Sequence, residues 1–312
     1  MDLNNKLKGL PKIYYFNLDE RPDRRKYTEQ QYDNYKIQNY ARHSMSKYQY
    51  ENFNEWKDKL ILNDVYSSPR PKLHIIECAM ALSYLEFLKN WLETTSDPYL
   101  LIMEDDYDLS FIEYWHFDWE YLMNHIPFDW DCIQISFENN TLIPCFLHPV
   151  LPDHTMGGAL MNRKYLEKII RVMTTDNKFD LKKRIGNYKR CQQEGNDSKW
   201  IHPNISFDYI MGHCGKTYCL SLITQNPTIG SFSKNIMRDD FPSMAFTNKA
   251  VELWWTKLRD RFSLENFFMY GKPNDFYITS KNIDQLESTL NQIEINNIKL
   301  NKLSSNKSNY HE

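Results

Sequence analysis

The segment Met103-Glu104-Asp105-Asp106-Tyr107-Asp108 follows directly on the apolar run Tyr99-Leu100-Leu101-Ile102-Met103. Carboxylates crowded at the end of a buried strand repel one another, and a bound cation offsets that charge. The chemistry this pattern points to is a divalent metal holding a phosphate ester. In an extended chain alternate side chains share a face, so Glu104 and Asp106 are expected on one side and Asp105 on the other. On that geometry Glu104 and Asp106 face the metal, while Asp105 bonds a sugar hydroxyl or a backbone amide. The competing structural reading is an acidic turn that closes the strand and faces solvent.

The elements that must position these acids read as alternating strands and helices. Lys12-Ile13-Tyr14-Tyr15-Phe16-Asn17-Leu18 has strand length, and the charged turn Arg21-Pro22-Asp23-Arg24-Arg25 leads into a polar helix expected to reach about Tyr35. Residues 37–72 show weak periodicity and read as a long surface excursion ending at Ser67-Ser68-Pro69-Arg70-Pro71. From Glu77 to Thr94 apolar residues recur at Cys78, Ala81, Leu82, Leu85, Leu88, Trp91 and Leu92, the spacing of a helix buried along one face. Asp97-Pro98 stops it before the acid-bearing strand. Further strands are expected at Asp131–Phe137 and around Tyr218-Cys219-Leu220, with a short helix beginning at Ile205–Met211. Thr155-Met156-Gly157-Gly158-Ala159-Leu160-Met161 is read as entering a helix marked by Tyr165, Leu166, Ile169, Ile170 and Met173. Gly157 and Gly158 either let backbone approach a ligand or make an ordinary turn. Strands separated by helices predict an α/β fold with a largely parallel sheet, whose ligands gather at the carboxyl ends of the strands.

Composition narrows the function classes. The chain has 312 residues, 41% hydrophobic and 15% aromatic, enough to bury one large core or two modest ones. A formal net charge of -3 and a pI near 6.3 supply no broad basic field for nucleic acid, so no nucleic-acid partner is expected. No apolar run reaches the roughly 18 residues needed to cross a bilayer, and Met1-Asp2-Leu3-Asn4-Asn5-Lys6 lacks a signal-peptide core. The expected location is therefore soluble and cytoplasmic or otherwise intracellular. The six cysteines are scattered, without the two-residue spacing of a zinc or redox motif.

Three ordered blocks resemble glycosyltransferase family 25, which includes bacterial lipooligosaccharide galactosyltransferases and collagen hydroxylysine galactosyltransferases. The first is Phe16-Asn17-Leu18-Asp19 with Arg21, Asp23, Arg24 and Arg25. The second is Cys78-Ala79-Met80-Ala81-Leu82-Ser83, and the third is Leu101-Ile102-Met103-Glu104-Asp105-Asp106. Downstream, Ala159-Leu160-Met161-Asn162-Arg163 resembles the family's small-residue segment, and Asp208, Tyr218, Pro227 and Ser231 fall where its later motifs are expected. The resemblance covers about residues 11 to 240. The chain departs from the family at Glu77, where Gly is common, and at Tyr84, where His is common.

The resemblance implies a GT-A-like, Rossmann-type fold with a mixed, mainly parallel sheet flanked by helices. It also implies a UDP-hexose donor, Mn²⁺ or another divalent cation such as Mg²⁺, inversion at the anomeric carbon, and a hydroxyl acceptor on a glycan or protein. Under that reading Asp106 is the first metal ligand and Glu104 the second, with Asp108 in reserve. Asn17, Asp19, Arg21, Arg24, Ser83, Asp105, Gly157 and Gly158 are the expected nucleotide-sugar contacts. Arg25 is as readily an exposed basic helix start, and Ser83 can instead bond back to its own helix. Gln225 and Ser231 are expected to line the far side of the pocket. Asp208 matches a family acid and is the expected catalytic base, although a helix-start acid is favoured by the helix dipole alone. Glu138 is its competitor and Asp153 a weaker one, while His154 and His213 either complete a metal shell or bond elsewhere.

Two other classes share these residues: a nucleotide-sugar or carbohydrate-binding protein without catalysis, and a two-metal phosphoesterase built on the acids from Glu104 to Asp108. The chain divides by pattern into a glycosyltransferase-like domain at 1–245, a C-terminal helical extension at 246–300, and a tail at 301–312 expected to lack order. The apolar face at Val251–Phe262 is expected to pack on the core, with a homodimer or a membrane surface as the other destinations.

Overall fold

The Ile13-Tyr14-Tyr15-Phe16 run alternates its burial between two layers, and the whole architecture follows from that alternation. In a computed structural model, residues 2–62, 71–136, 142–144, 147–149, 157–182, 207, 210–211, 215–226, 228–229, 242–261, 277–292 and 295–296 are described. The helices are α1 (Leu3–Lys6), α2 (Pro22–Asn34), α3 (Phe53–Trp56), α4 (Pro71–Thr94), α5 (Trp119–His125), α6 (Arg163–Met173) and α7 (Pro242–Leu253). The strands that build the main sheet are β1 (Ile13–Asn17), β2 (Tyr40–Ser44), β4 (Tyr99–Glu104), β6 (Cys132–Gln134), β8 (His148–Pro149), β9 (Gly158–Asn162) and β12 (Thr217–Cys219). Smaller ladders use β3 (Leu60–Ile61), β5 (Tyr107–Asp108), β7 (Leu142–Pro144), β10 (Thr174–Thr175), β11 (Lys178–Asp180), β13 (Thr224–Gln225) and β14 (Tyr277–Thr279).

The main sheet has the order β2-β1-β4-β9-β6-β12-β8. β9 and β8 run against the other five strands, so the protein is α/β with a mixed, mostly parallel sheet flanked by helices. Ile13 and Tyr15 of β1, with Leu101 and Met103 of β4, join one buried layer that also holds Tyr32 of α2 and the aromatic residues Trp115, Phe117, Trp254 and Trp255. Phe16, Leu100 and Ile102 join the opposite layer with α4 and α6. A period of two along each strand delivers successive side chains to the two layers.

Several elements differ from the sequence expectation. The α4 helix starts at Pro71, six residues before the onset of apolar periodicity, because proline is well placed in a first turn where no backbone donor is needed. Residues 37–72 are not a bare excursion: β2, α3 and β3 lie within them, with β2 paired in parallel to β1. Gly158–Asn162 is a strand, not a helix entry, because β4 and β6 flank it on both sides and its Ala159-Leu160-Met161 run is buried on both faces. Helix α6 begins only after Asn162, whose side chain accepts the Tyr165 backbone N–H as an N-cap.

The C-terminal segment belongs to the core. Val251, Leu253, Trp254, Trp255 and Leu258 are buried in the same layer as β1 and α5, and Trp255 Nε1 donates to the Ser221 carbonyl at 2.8 Å. The apolar face at Val251–Phe262 thus meets the chain's own core over its described part. β14 pairs with β7, and residues 283–292 are helical, with Ile283 and Leu290 in the same layer. No described helix is long and apolar enough to cross a membrane. The expectation for 301–312 lies outside the described residues.

Candidate functional site

Strand β4 ends at Glu104, and the chain turns through Asp105 and Asp106 before β5. The turn breaks the alternation expected for an extended chain. The Glu104 carboxylate accepts the Tyr84 hydroxyl of α4 at 3.3 Å, on one side of the sheet. Asp105 and Asp106 both meet Arg24 of α2, on the other. Glu104 and Asp106 therefore do not share a face; the strand's period of two stops at Glu104, and the turn carries Asp106 across to the α2 side.

Helix α2 is unusual in what it buries. Arg24, Thr28 and Gln31 lie at spacings of four and three, and all three are buried. Such residues stack on one helical face, so α2 packs against the acidic turn with a polar stripe. Arg24 Nη1 reaches Asp105 Oδ1 at 2.9 Å, and Nη2 contacts Asp106 Oδ2. The Thr28 hydroxyl donates to the Asp105 carbonyl at 3.0 Å. Gln31 donates to the Tyr107 carbonyl at 2.7 Å and accepts the Leu109 N–H at 2.8 Å, which fixes the strand after the turn.

Two further chain segments close on the acids. Asn17, the last residue of β1, donates its amide to Asp105 Oδ2 at 2.6 Å and to the Arg21 carbonyl at 3.1 Å. From β13, Gln225 Nε2 donates to Asp106 Oδ2 at 2.8 Å, and the next residue's N–H donates to the Asp106 carbonyl at 2.7 Å. Asp105 and Asp106 are each only 4% exposed. Burial raises the Asp105 carboxyl above its ordinary value, against the lowering effect of Arg24 and the Asn17 hydrogen bond. Two carboxylates contact one guanidinium; Arg21 also acts on both from further off but is already paired with Asp23, so the direct contacts leave the cluster short of one cation. Asp106 Oδ1 and Arg24 Nε are buried with no hydrogen-bond partner.

Around this centre lies a polar rim. Arg42 of β2 donates to Asn17 Oδ1 at 2.9 Å and pairs with Asp19, whose other oxygen accepts the Ser44 hydroxyl at 2.9 Å. The hydrogen bond from Arg42 holds Asp19 below the ordinary carboxylate range. Arg21 pairs with Asp23 at 2.8 Å and reaches toward the Ile229 carbonyl at 3.5 Å. Tyr27, whose hydroxyl accepts the Asn226 amide at 2.9 Å, is pushed up to about 12 by burial.

The expected contacts thus divide. Asn17, Arg24, Asp105 and Asp106 converge within one hydrogen-bonded cluster, with Asp19 and Arg21 at its rim. Ser83 is buried in α4 and donates to the Ala79 carbonyl at 2.9 Å, bonding back to its own helix. Arg25 pairs with Glu29 at 3.0 Å on the helix surface. Gly157 and Gly158 are buried, and the space a side chain would need is taken by Tyr107 at Gly157 and by Ile135 at Gly158. The Gly157 carbonyl accepts the Glu104 N–H at 2.7 Å, so this glycine lets Tyr107 sit against the backbone beside the acids. Asp208, Glu138, Asp153, His154, His213, Pro227 and Ser231 lie outside the described residues. Phe207, the neighbour of Asp208, is buried and stacks on Tyr84 with ring centroids 4.0 Å apart.

Thr28, Gln31 and Arg42 went unread in the sequence. The first two carried a signal, since with Arg24 they form a polar stripe at helical spacing; Arg42 carried none, being one cation in a segment without clear periodicity. No family model matches the chain, and no curated protein matches it.

Proposed function

We propose that the protein is a metal-dependent, inverting hexosyltransferase that moves galactose or glucose from a UDP-sugar to a hydroxyl of a glycan or protein acceptor. The observation that carries this reading is the undercompensated acid pair at the carboxyl end of β4, beside the end of β1, where α/β sheets gather ligands. Asp19, Arg21 and Arg42 add hydrogen-bonding groups and cations at its rim, suited to ribose and diphosphate. The resemblance to glycosyltransferase family 25 runs through Asn17, Asp19, Arg21, Arg24, Asp105 and Asp106.

The residues present fit a divalent cation at one atom. Asp106 Oδ1 is a buried carboxylate oxygen with no partner, while Oδ2 is engaged by Arg24 and Gln225. Among the described residues no group of three or more His, Cys, Asp and Glu side chains is arranged to hold an ion. Among the described residues Asp106 is then the best-placed ligand, and diphosphate and water oxygens are the natural source of others. When bound, Mn²⁺ or Mg²⁺ supplies charge that stabilises the departing diphosphate. Glu104, engaged with Tyr84 on the opposite face, is better suited to orienting α4 than to ligation.

An inverting displacement needs a base for the acceptor hydroxyl. Asp208 is proposed for it on the family resemblance alone. The test is transfer and hydrolysis of UDP-galactose and UDP-glucose, with and without Mn²⁺, in the wild type and in Asp106→Asn and Asp208→Asn. Asp106→Asn is expected to abolish metal-dependent turnover, at least a hundredfold, with an unchanged fold. Asp208→Asn should reduce transfer far more than donor binding. Donor binding without cleavage, across a broad acceptor panel, would instead identify a nucleotide-sugar-binding protein. Wild-type activity in both variants would overturn the assignments.

A further inference from the structure

Behind Gln225, one of the side chains that hold the acids, lies a further group of polar atoms. A cavity of about 10 Å³, room for about one water molecule or hydroxyl, opens between the end of β6, strand β13 and helix α7. Ser136, Gln225, Thr247 and Asn248 line it, with Tyr107 and Ile223. Ser136 is 2% exposed, and its hydroxyl is buried without a hydrogen-bond partner. Asn248 Oδ1 is likewise buried and unpartnered. The other end of the Asn248 amide is committed, donating to the Gln225 carbonyl at 2.9 Å. Gln225 in turn donates to Asp106 Oδ2 at 2.8 Å, which ties the cavity to the acid pair through a single side chain.

Burying a hydroxyl and an amide oxygen with nothing to bond costs stability, and native proteins rarely leave such groups unmatched. Here two of them border one small space whose lining is otherwise largely apolar, so they are the groups in it that can bond a hydroxyl. A hydroxyl suits both: it donates to Asn248 Oδ1 and exchanges a hydrogen bond with Ser136 Oγ.

We propose that this cavity is a subsite for one hydroxyl of the hexose, read by Ser136 and Asn248. The inference rests on the hexosyltransferase reading and adds the residues that recognise the sugar. It also gives α7 a part in the site, since Thr247 and Asn248 of that helix both line the cavity. A site built to hydrogen-bond a hydroxyl loses much of its binding when that bond is removed.

Ser136→Ala is the discriminating variant, because the serine hydroxyl has no hydrogen-bond partner and its removal breaks no existing hydrogen bond. Thermal unfolding should show a melting temperature equal to or above that of the wild type. Calorimetric titration with UDP, UDP-galactose and UDP-glucose, each with Mn²⁺, should then show unchanged UDP affinity and about tenfold weaker binding of at least one UDP-hexose. A loss confined to one hexose would identify the epimeric hydroxyl as the one read. Equal UDP-hexose affinity in Ser136→Ala and wild type would overturn the subsite and leave the cavity to a structural water, while the hexosyltransferase reading stood. Failure of the wild type to bind either UDP or a UDP-hexose would overturn that reading and the subsite with it.

Discussion

Two carboxylate clusters on this protein are built from the same kinds of groups and have opposite balances. At Glu86 of α4, one carboxylate receives Lys47 at 2.9 Å, Lys59 at 2.7 Å and the Tyr48 hydroxyl, and both lysines remain open to water. At Arg24, two buried carboxylates share one guanidinium, and one of their oxygens bonds nothing. The first has cations to spare in high dielectric, where an ion pair adds little. The second is short of a cation in low dielectric, where charge imbalance is expensive. A cluster with cations to spare is balanced by its own fold; a cluster left short of charge is where the proposed cation would make the difference.

The largest way to sharpen this contrast is Arg24→Met. It strands two adjacent buried carboxylates and should cost about 3–5 kcal/mol of unfolding free energy at neutral pH, measured by denaturant titration. The loss should shrink as the pH falls and Asp105, whose carboxyl burial raises, takes up its proton. A loss below about 1 kcal/mol would show that the acids are hydrated and that the two clusters are alike.

The pH dependence separates the clusters next. Burial pushes Glu86 up, but hydrogen bonds from Lys59, Tyr48 and Lys47 outweigh it and hold the group at about 2, below its ordinary 4.5. Its contribution to stability is therefore complete above pH 4.5 and is lost as the pH falls through about 2. Asp105 moves the other way: burial raises it above its ordinary 3.8, so folding favours its neutral form and that contribution fades as the pH rises through the folded value. Carboxyl carbon shifts followed by NMR should place the Glu86 midpoint near 2 and the Asp105 midpoint above 3.8. A reversed order would remove the distinction drawn here.

The smallest effect belongs to Glu86→Gln. With Lys47 and Lys59 side chains 66% and 47% exposed, solvent screening discounts the lowered Glu86 midpoint, and the cost at neutral pH should be about 1–2 kcal/mol, below that of Arg24→Met. The variant should also flatten the stability curve between pH 4.5 and 2. A cost near that of Arg24→Met would contradict the surface reading.

Much of the fold was legible in the chain. Lys12–Leu18, Glu77–Thr94 and Tyr99–Met103 carry the length and period of their elements, and β1, α4 and β4 lie where those patterns fall. The antiparallel strand β9 was misread because Gly157-Gly158 followed by a small apolar run is equally a turn into a helix; only β4 and β6 on either side decide for a strand. Strand β2 was lost for a related reason. Its residues Tyr40–Ser44 are all half-buried, so neither an alternating nor a continuous apolar pattern marks them.

At the site, the sequence by itself determined that acids crowd the end of a buried strand and that arginines and an asparagine follow the first one, because covalent order and hydrophobic period are local properties. Tertiary structure decided which acids act together. Glu104 falls to Tyr84 and the α4 layer, while Asp105 and Asp106 fall to Arg24, because a turn ends the strand's alternation and α2 brings a buried cation to one side only. Gln225 and Asn248 reach the same place from far along the chain, and no spacing in the sequence encodes that meeting.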